Sequence, residues 1–236
     1  FIGNADNRIQ EDYLRILRYV RFFINYSNHP HNSSVKKSIK QNIAGVANLS
    51  KERLMSELKK IILSKNFLQL SKDSFSLEIL TTIFPQLVNL NNLEKINEYS
   101  KNIFYKKTFI FLISYLIIDE TDNANYFLFK YNLSNEDKKR VKFLIENHEL
   151  FSEKDYFNKK NLQRIFYFYN KSYVIDLLDL KIFNSKTAPK KLIELKKYFE
   201  QFEKPIFPLK AQDLLEKYKI KEGKEFGQKI RLLEEM

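Results

Sequence analysis

The chain has 236 residues, with 44% hydrophobic and 30% charged side chains and 41 Lys and Arg against 29 Asp and Glu, a formal net charge of +12. That balance fits a globular fold of one or two domains in water, and the absence of cysteine excludes a disulfide scaffold and any thiolate metal site and fits a reducing cytoplasm. With four glycines and five prolines there is little room for hairpin turns, so the long apolar-periodic stretches predict an all-α, multi-helix array with no sheet.

In chain order, residues 7–27 read as one helix, capped by Asp6 or Asn7 and stopped at His29-Pro30. A second helix covers 34–42 and is followed by Gly45. Ser50 caps a third over 51–63, with Leu54, Leu58 and Ile61 on one stripe. Further helices are expected over 75–84, 93–105, 108–118, 123–131, 134–148, 162–170, 173–180 and 189–202. After Pro205 and Pro208 two last helices are expected over 209–218 and 224–235. The most apolar run, 108–118, is far short of the roughly 20 residues that span a membrane, so it reads as a buried core helix and no membrane is implied.

Aromatic residues recur in each helix from Phe67 to Phe207, and most are expected in the core. His29 and His31 read as a surface loop, with no carboxylate at ligand spacing to make a metal site. Asp119, Glu120 and Asp122 read as an acidic turn capping the next helix, and Glu153 and Asp155 as helix N-terminal charges. Lys190, Lys191, Lys196 and Lys197 form either a basic stripe for nucleic-acid phosphates or a solvated helix face.

A strongly basic chain attracts polyanions, nucleic acid foremost. The arginines are more informative than the total charge. Only eight of the 41 basic residues are Arg, and four of these are Arg8, Arg15, Arg18 and Arg21. On a helical wheel Tyr13, Ile16, Leu17, Val20 and Ile24 share one face. Arg8, Glu11, Asp12, Arg15 and Arg18 share the other, with Arg21 at its edge. One reading is a solvated face with pairs Arg8–Asp12, Glu11–Arg15 and Asp12–Arg15, each adding about 0.2–0.5 kcal/mol. The other is base recognition. Asp only accepts and Arg only donates. Side by side they complement cytosine (amine beside N3) and adenine (amine beside N1), whereas guanine and uracil present the opposite order. A mismatched base would strand buried polar groups at about 1–3 kcal/mol each.

Ile2-Gly3-Asn4 and the run Arg8-Ile9-Gln10-Glu11-Asp12-Tyr13-Leu14-Arg15-Ile16-Leu17-Arg18-Tyr19-Val20-Arg21-Phe22 resemble the neck motif of class II tRNA nucleotidyltransferases (CCA-adding enzymes) and bacterial poly(A) polymerases, IGxxxxRIxEDxLRxLRxxRF. Ser50-Lys51-Glu52-Arg53-Leu54 with Glu57-Leu58-Lys59-Lys60 resembles the family's next helix. Asp213-Leu214-Leu215, Gly223 and Gly227-Gln228 resemble its closing pattern, although Gln212 stands where the family usually has Gly.

The resemblance implies a neck over 1–63 that selects the nucleotide, a helical body over 64–204 and a tRNA-binding tail over 205–236. It implies that Asp12 and Arg15 recognise the base of CTP or ATP, that Arg18 and Arg21 contact the nucleotide or steady its pocket, and that Arg8, Glu11, Glu52 and Arg53 support them. The implied partner is tRNA, and the implied Mg²⁺ belongs to a catalytic head preceding residue 1. No Gly-Ser with a following DxD pair occurs here, so the fragment carries no catalytic residue and is expected to be inert alone. The neck motif does not separate a CCA-adding enzyme from a poly(A) polymerase or from a relative adding only CC or only A. A non-catalytic helical RNA-binding module is a further alternative.

Overall fold

The start of the chain is helical in two pieces. In the computed structural model, which describes residues 3–153 and 155–203, α1 (Ala5–Glu11) is capped by Asn4, whose side chain accepts the Asn7 N–H at 3.2 Å. Asp12 then adopts an extended conformation (φ −156°, ψ 100°) and ends it. α2 (Leu14–Tyr26) follows, burying Leu14, Ile16, Leu17, Val20 and Ile24. The single helix expected over 7–27 is therefore interrupted at Asp12, and the cap is Asn4 rather than Asp6 or Asn7. The apolar period survives the break because α2 alone carries it.

Asn32 caps α3 (Ser33–Asn42), which runs into a 3-10 segment at Ile43–Asn48. Ser50 caps α4 (Lys51–Ile62) as expected. α1 packs on α3, and α2 on α4. Asp73 caps α5 (Ser74–Ile83). The helix expected over 93–105 is a 3-10 segment, Leu90–Lys95, followed by α6 (Glu98–Phe104). Asn97 makes the division: its carbonyl caps α6 through the Ser100 N–H (2.9 Å), and its amide donates to Ile182 O (2.7 Å) and Ser185 O (2.9 Å). α7 (Phe109–Ile117), α8 (Asn123–Lys130), α9 (Asn135–His148), α10 (Lys159–Phe168), α11 (Lys171–Phe183) and α12 (Lys190–Gln201) complete the described helices. Among the described residues there is no strand, so the chain is all-α. The helices expected over 209–218 and 224–235, and the closing motif from Asp213 to Gln228, lie outside the described residues.

Residues Phe1–Gln201 form one compact unit. Each residue of α7 is buried, as its composition predicts, and α7 lies against α4, α8, α9 and α11. The core is largely aromatic. The Phe183 ring meets Phe111 at 5.1 Å, Tyr115 at 5.4 Å and Phe104 at 6.2 Å between centroids. Burying each such ring contributes roughly 1.5–3 kcal/mol.

Three surface expectations are corrected by packing. Lys196 is no part of an exposed stripe: it is 5% exposed and donates to Asp179 at 2.8 Å. Lys107 donates to the same fully buried carboxylate. His31 is not a surface-loop residue. Its ring stacks on Phe23 (3.4 Å between centroids) and bridges the Tyr19 hydroxyl (2.7 Å) to the Asp73 carboxylate (2.9 Å). Burial there pushes the Tyr19 hydroxyl up to about 12. Asp122 occupies the N-cap position of α8 without a side-chain bond to its backbone, whereas Asp119 accepts from Thr121 N at 2.9 Å.

Candidate nucleic-acid interface

The break between α1 and α2 places Asp12. Its backbone N–H still reaches Ile9 O (3.1 Å), and its Oδ1 accepts the Leu14 N–H (3.1 Å) at the head of α2, where a carboxylate is favoured by the helix dipole. The same Oδ1 accepts from Nη2 of Arg53 at 2.9 Å. Arg18 Nη1 stands 3.7 Å from Oδ2. The carboxylate is 21% exposed, so it is neither sealed in the core nor free in water. A carboxylate offers about four acceptor positions. Two bonds are taken on Oδ1, which leaves Oδ2 with a loose arginine contact and capacity for another donor.

Arg15 donates its backbone N–H to Asp12 O at 3.0 Å, but its side chain makes the Glu11 pair expected from i, i+4 spacing and no bond to the Asp12 carboxylate. Its Nη1 turns back to the C-terminal turn of α1, donating to Arg8 O and to Glu11, each at 2.6 Å. Arg8 also bonds Glu11, at 3.0 Å. These two guanidinium contacts, Arg15 first, hold the Glu11 carboxyl below the ordinary carboxylate range. At the break, the guanidinium groups at the Asp12 carboxylate are those of Arg53 and Arg18. Among the described residues, the side-chain bonds of Arg15 run through Nη1 and none involves Nε or Nη2.

Arg21 serves a different carboxylate. Its Nε donates at 2.6 Å to Glu57, which is 2% exposed. An uncompensated charge at that depth would be costly, so Arg21 is the counterion that lets α2 pack on α4. Sequence reasoning assigned Glu57 no role. The signal was present, because Leu54, Glu57, Leu58 and Ile61 fall on one helical face and a lone carboxylate in a buried stripe requires a cation.

α4 presents Arg53 through its own cap: Ser50 Oγ accepts the Arg53 N–H at 3.3 Å. Neighbouring Glu52 is surface-exposed, and its own backbone N–H, the Ser50 hydroxyl and the Asn132 amide depress its carboxyl pKa. Gly45 also shapes this corner. A Cβ there would lie 2.2 Å from Cε1 of Tyr13, so the ring next to Asp12 packs on bare backbone. The sequence reading used Gly45 only as a helix end. Among the described residues no three His, Asp or Glu side chains gather to hold a metal ion. The described residues here do not fit Mg²⁺ binding.

Known proteins resemble this chain in sequence and fold. Residues 32–90 match the family described as "Probable RNA and SrmB- binding site of polymerase A". The mitochondrial CCA tRNA nucleotidyltransferase 1 of Mus musculus is 31% identical over 248 residues, covering 100% of this chain and 53% of that protein. The Homo sapiens counterpart is 29% identical with the same coverage. The CCA-adding enzyme of Staphylococcus haemolyticus is 26% identical, over 75% of this chain and 41% of its own. The crystal structure of the Bacillus stearothermophilus CCA-adding enzyme in complex with CTP shares the fold, with a TM-score of 0.67, 17% identity, and coverage of 99% of this chain and 58% of that one. The chain spans about half the length of the curated relatives it matches. Along its whole length the chain is similar in sequence to the mitochondrial CCA tRNA nucleotidyltransferases, and its residues 32–90 match the polymerase A family model.

Proposed function

We propose that the chain is the nucleotide-selecting and tRNA-gripping portion of an enzyme that adds CMP and AMP to the tRNA 3′ end. The observation that carries this reading is the Asp12 carboxylate, tethered through Oδ1 by Arg53 and the Leu14 N–H with capacity left on Oδ2. Oδ2 accepts the exocyclic amine of cytosine or adenine. Arg15, once it leaves Glu11, donates from Nε or Nη2 to the neighbouring ring nitrogen. Guanine and uracil offer a carbonyl to Asp12 and a ring N–H to Arg15, so both contacts fail. Arg18 orients Asp12 and meets the nucleotide's phosphates, Arg21 fixes α2 on α4, and Arg8, Glu11 and Glu52 order the surround. The metal-dependent transfer belongs to the rest of the enzyme, and this chain alone transfers nothing. CTP and ATP are its nucleotides and the cytoplasm its compartment.

The test is Asp12→Ala in the full-length enzyme. Selection against GTP and UTP should relax by about tenfold or more, in line with one or two stranded hydrogen bonds, while tRNA affinity stays nearly unchanged. Unchanged nucleotide choice rejects the base-reading role. The tRNA affinity of this chain should fall steeply with salt, and salt-insensitive binding rejects the tRNA grip.

A further inference from the structure

The arginine face of α2 does not end at Arg21. At 100° per residue Arg15, Arg18, Phe22 and Tyr26 fall within an arc of about 80°, so the face that carries the arginines continues directly into two aromatic rings. Both rings are turned outward: Phe22 is 50% exposed and Tyr26 77%. They neighbour each other at 6.0 Å between centroids, tilted by 32°. Phe22 is also held in place. The Arg21 guanidinium carbon sits 4.5 Å from its centroid, and Arg21 is itself fixed by Glu57 in the core. An apolar ring of this size is normally buried. Here the core stripe of α2 is complete without it, and the ring is backed by a cation instead.

Exposed rings in line with arginines, on a chain of net charge +12, match a single-stranded polyanion whose bases have free faces. Base–aromatic stacking tolerates any base, while cations follow the backbone. Duplex RNA keeps its bases stacked inside and offers no such face. Arg18, 44% exposed and one helical turn before the first ring, places positive charge on the same face. We propose that Phe22 and Tyr26 are a stacking platform for consecutive unpaired bases of a bound RNA, continuing the arginine face of α2. This rests on the RNA-gripping reading above and is independent of base selection by Asp12.

The experiment uses the full 236-residue chain and a short single-stranded oligoribonucleotide carrying 2-aminopurine, with a hairpin RNA of equal charge as comparison. Wild-type protein should quench the 2-aminopurine by stacking. Phe22→Ala and Tyr26→Ala should each lose quenching and weaken single-strand binding about fivefold to 150-fold. The salt slope should stay unchanged because no charge is removed. Phe22→Leu, which keeps bulk without a π-face, should behave like Phe22→Ala. Both side chains are exposed, so the helical circular dichroism and melting of the variants should match wild type, and Tyr26 tests the platform without touching the Arg21 contact. If wild type binds RNA and neither variant changes quenching or affinity, the platform falls and the RNA grip stands. Full rescue by Phe22→Leu, or equal losses on hairpin RNA, also overturns it. If wild type binds no RNA, both readings fall together.

Discussion

Arg53 on α4 donates to Asp12 at 2.9 Å across 41 positions of sequence, and thereby holds the carboxylate at the α1–α2 break. Arg53 is 48% exposed, so the pair adds little to stability, about 0–1 kcal/mol. Its effect should be on orientation. Arg53→Ala is expected to lower discrimination against GTP and UTP in the full-length enzyme in the same direction as Asp12→Ala but by less. The melting temperature should fall by less than about 4 °C. Incorporation assays with each nucleotide separate the two effects, and an unchanged ratio removes Arg53 from the site.

The Arg21–Glu57 pair should behave in the opposite way, as a stability element. Arg21→Met leaves a carboxylate 2% exposed with, among the described residues, Lys60 at 3.7 Å as its remaining cation. A loss of about 3 kcal/mol is expected in urea unfolding. The double variant Arg21→Met with Glu57→Leu should recover most of it, because no unpaired charge remains. Equal losses in the single and double variants would show that the pair is not coupled.

Gly45 should be intolerant of even a methyl group. Gly45→Ala would push the Tyr13 ring, 2.2 Å from the new Cβ, out of its seat beside Asp12. A cost of roughly 1–3 kcal/mol follows from overpacking. Tyr13→Ala in the Gly45→Ala background should relieve the clash, which thermal unfolding of the single and double variants can check.

Asp179 is fully buried between Lys107 and Lys196. Asp179→Ala strands two partly desolvated ammonium groups and should cost about 3–5 kcal/mol. Burial already lowers the Lys107 pKa, so in this variant Lys107 is the group expected to give up its proton. A destabilisation below about 1 kcal/mol in chemical denaturation would contradict the network.

His148 gives a pH dependence of known sign. Burial is the largest effect on its ring and lowers the pKa below the ordinary 6.5. The unfolded chain therefore binds its proton at higher pH than the folded one. Stability should fall as pH drops through about 6.5 and level off below the folded value. His148→Gln should flatten that part of the profile, measured as unfolding free energy against pH. A profile with the opposite slope would mean that the neighbouring Asp119 and Glu120 outweigh burial.

Much of the fold is legible in the sequence because a 3.6-residue apolar period survives local detail. The apolar face of α2, the Ser50 cap of α4 and the wholly buried α7 all follow from patterning. What the wheel missed at Asp12 is one residue of extended backbone. The expected Glu11–Arg15 pair forms, but Arg8 bonds Glu11 rather than Asp12, and the guanidinium groups at the Asp12 carboxylate are those of Arg53 and Arg18. Likewise, the lysines near the end of α12 looked equivalent along the chain, yet Asp179 draws Lys196 into the core.

The sequence by itself determined that this chain is helical, basic, and furnished with a carboxylate inside a row of arginines, because period, composition and motif are local properties. Only the tertiary structure decided which charge meets which. Ion pairs such as Arg53–Asp12, Arg21–Glu57 and Lys107–Asp179 join residues tens of positions apart, and packing, which depends on the whole folded chain, buries the carboxylates of the last two pairs and leaves that of the first partly exposed.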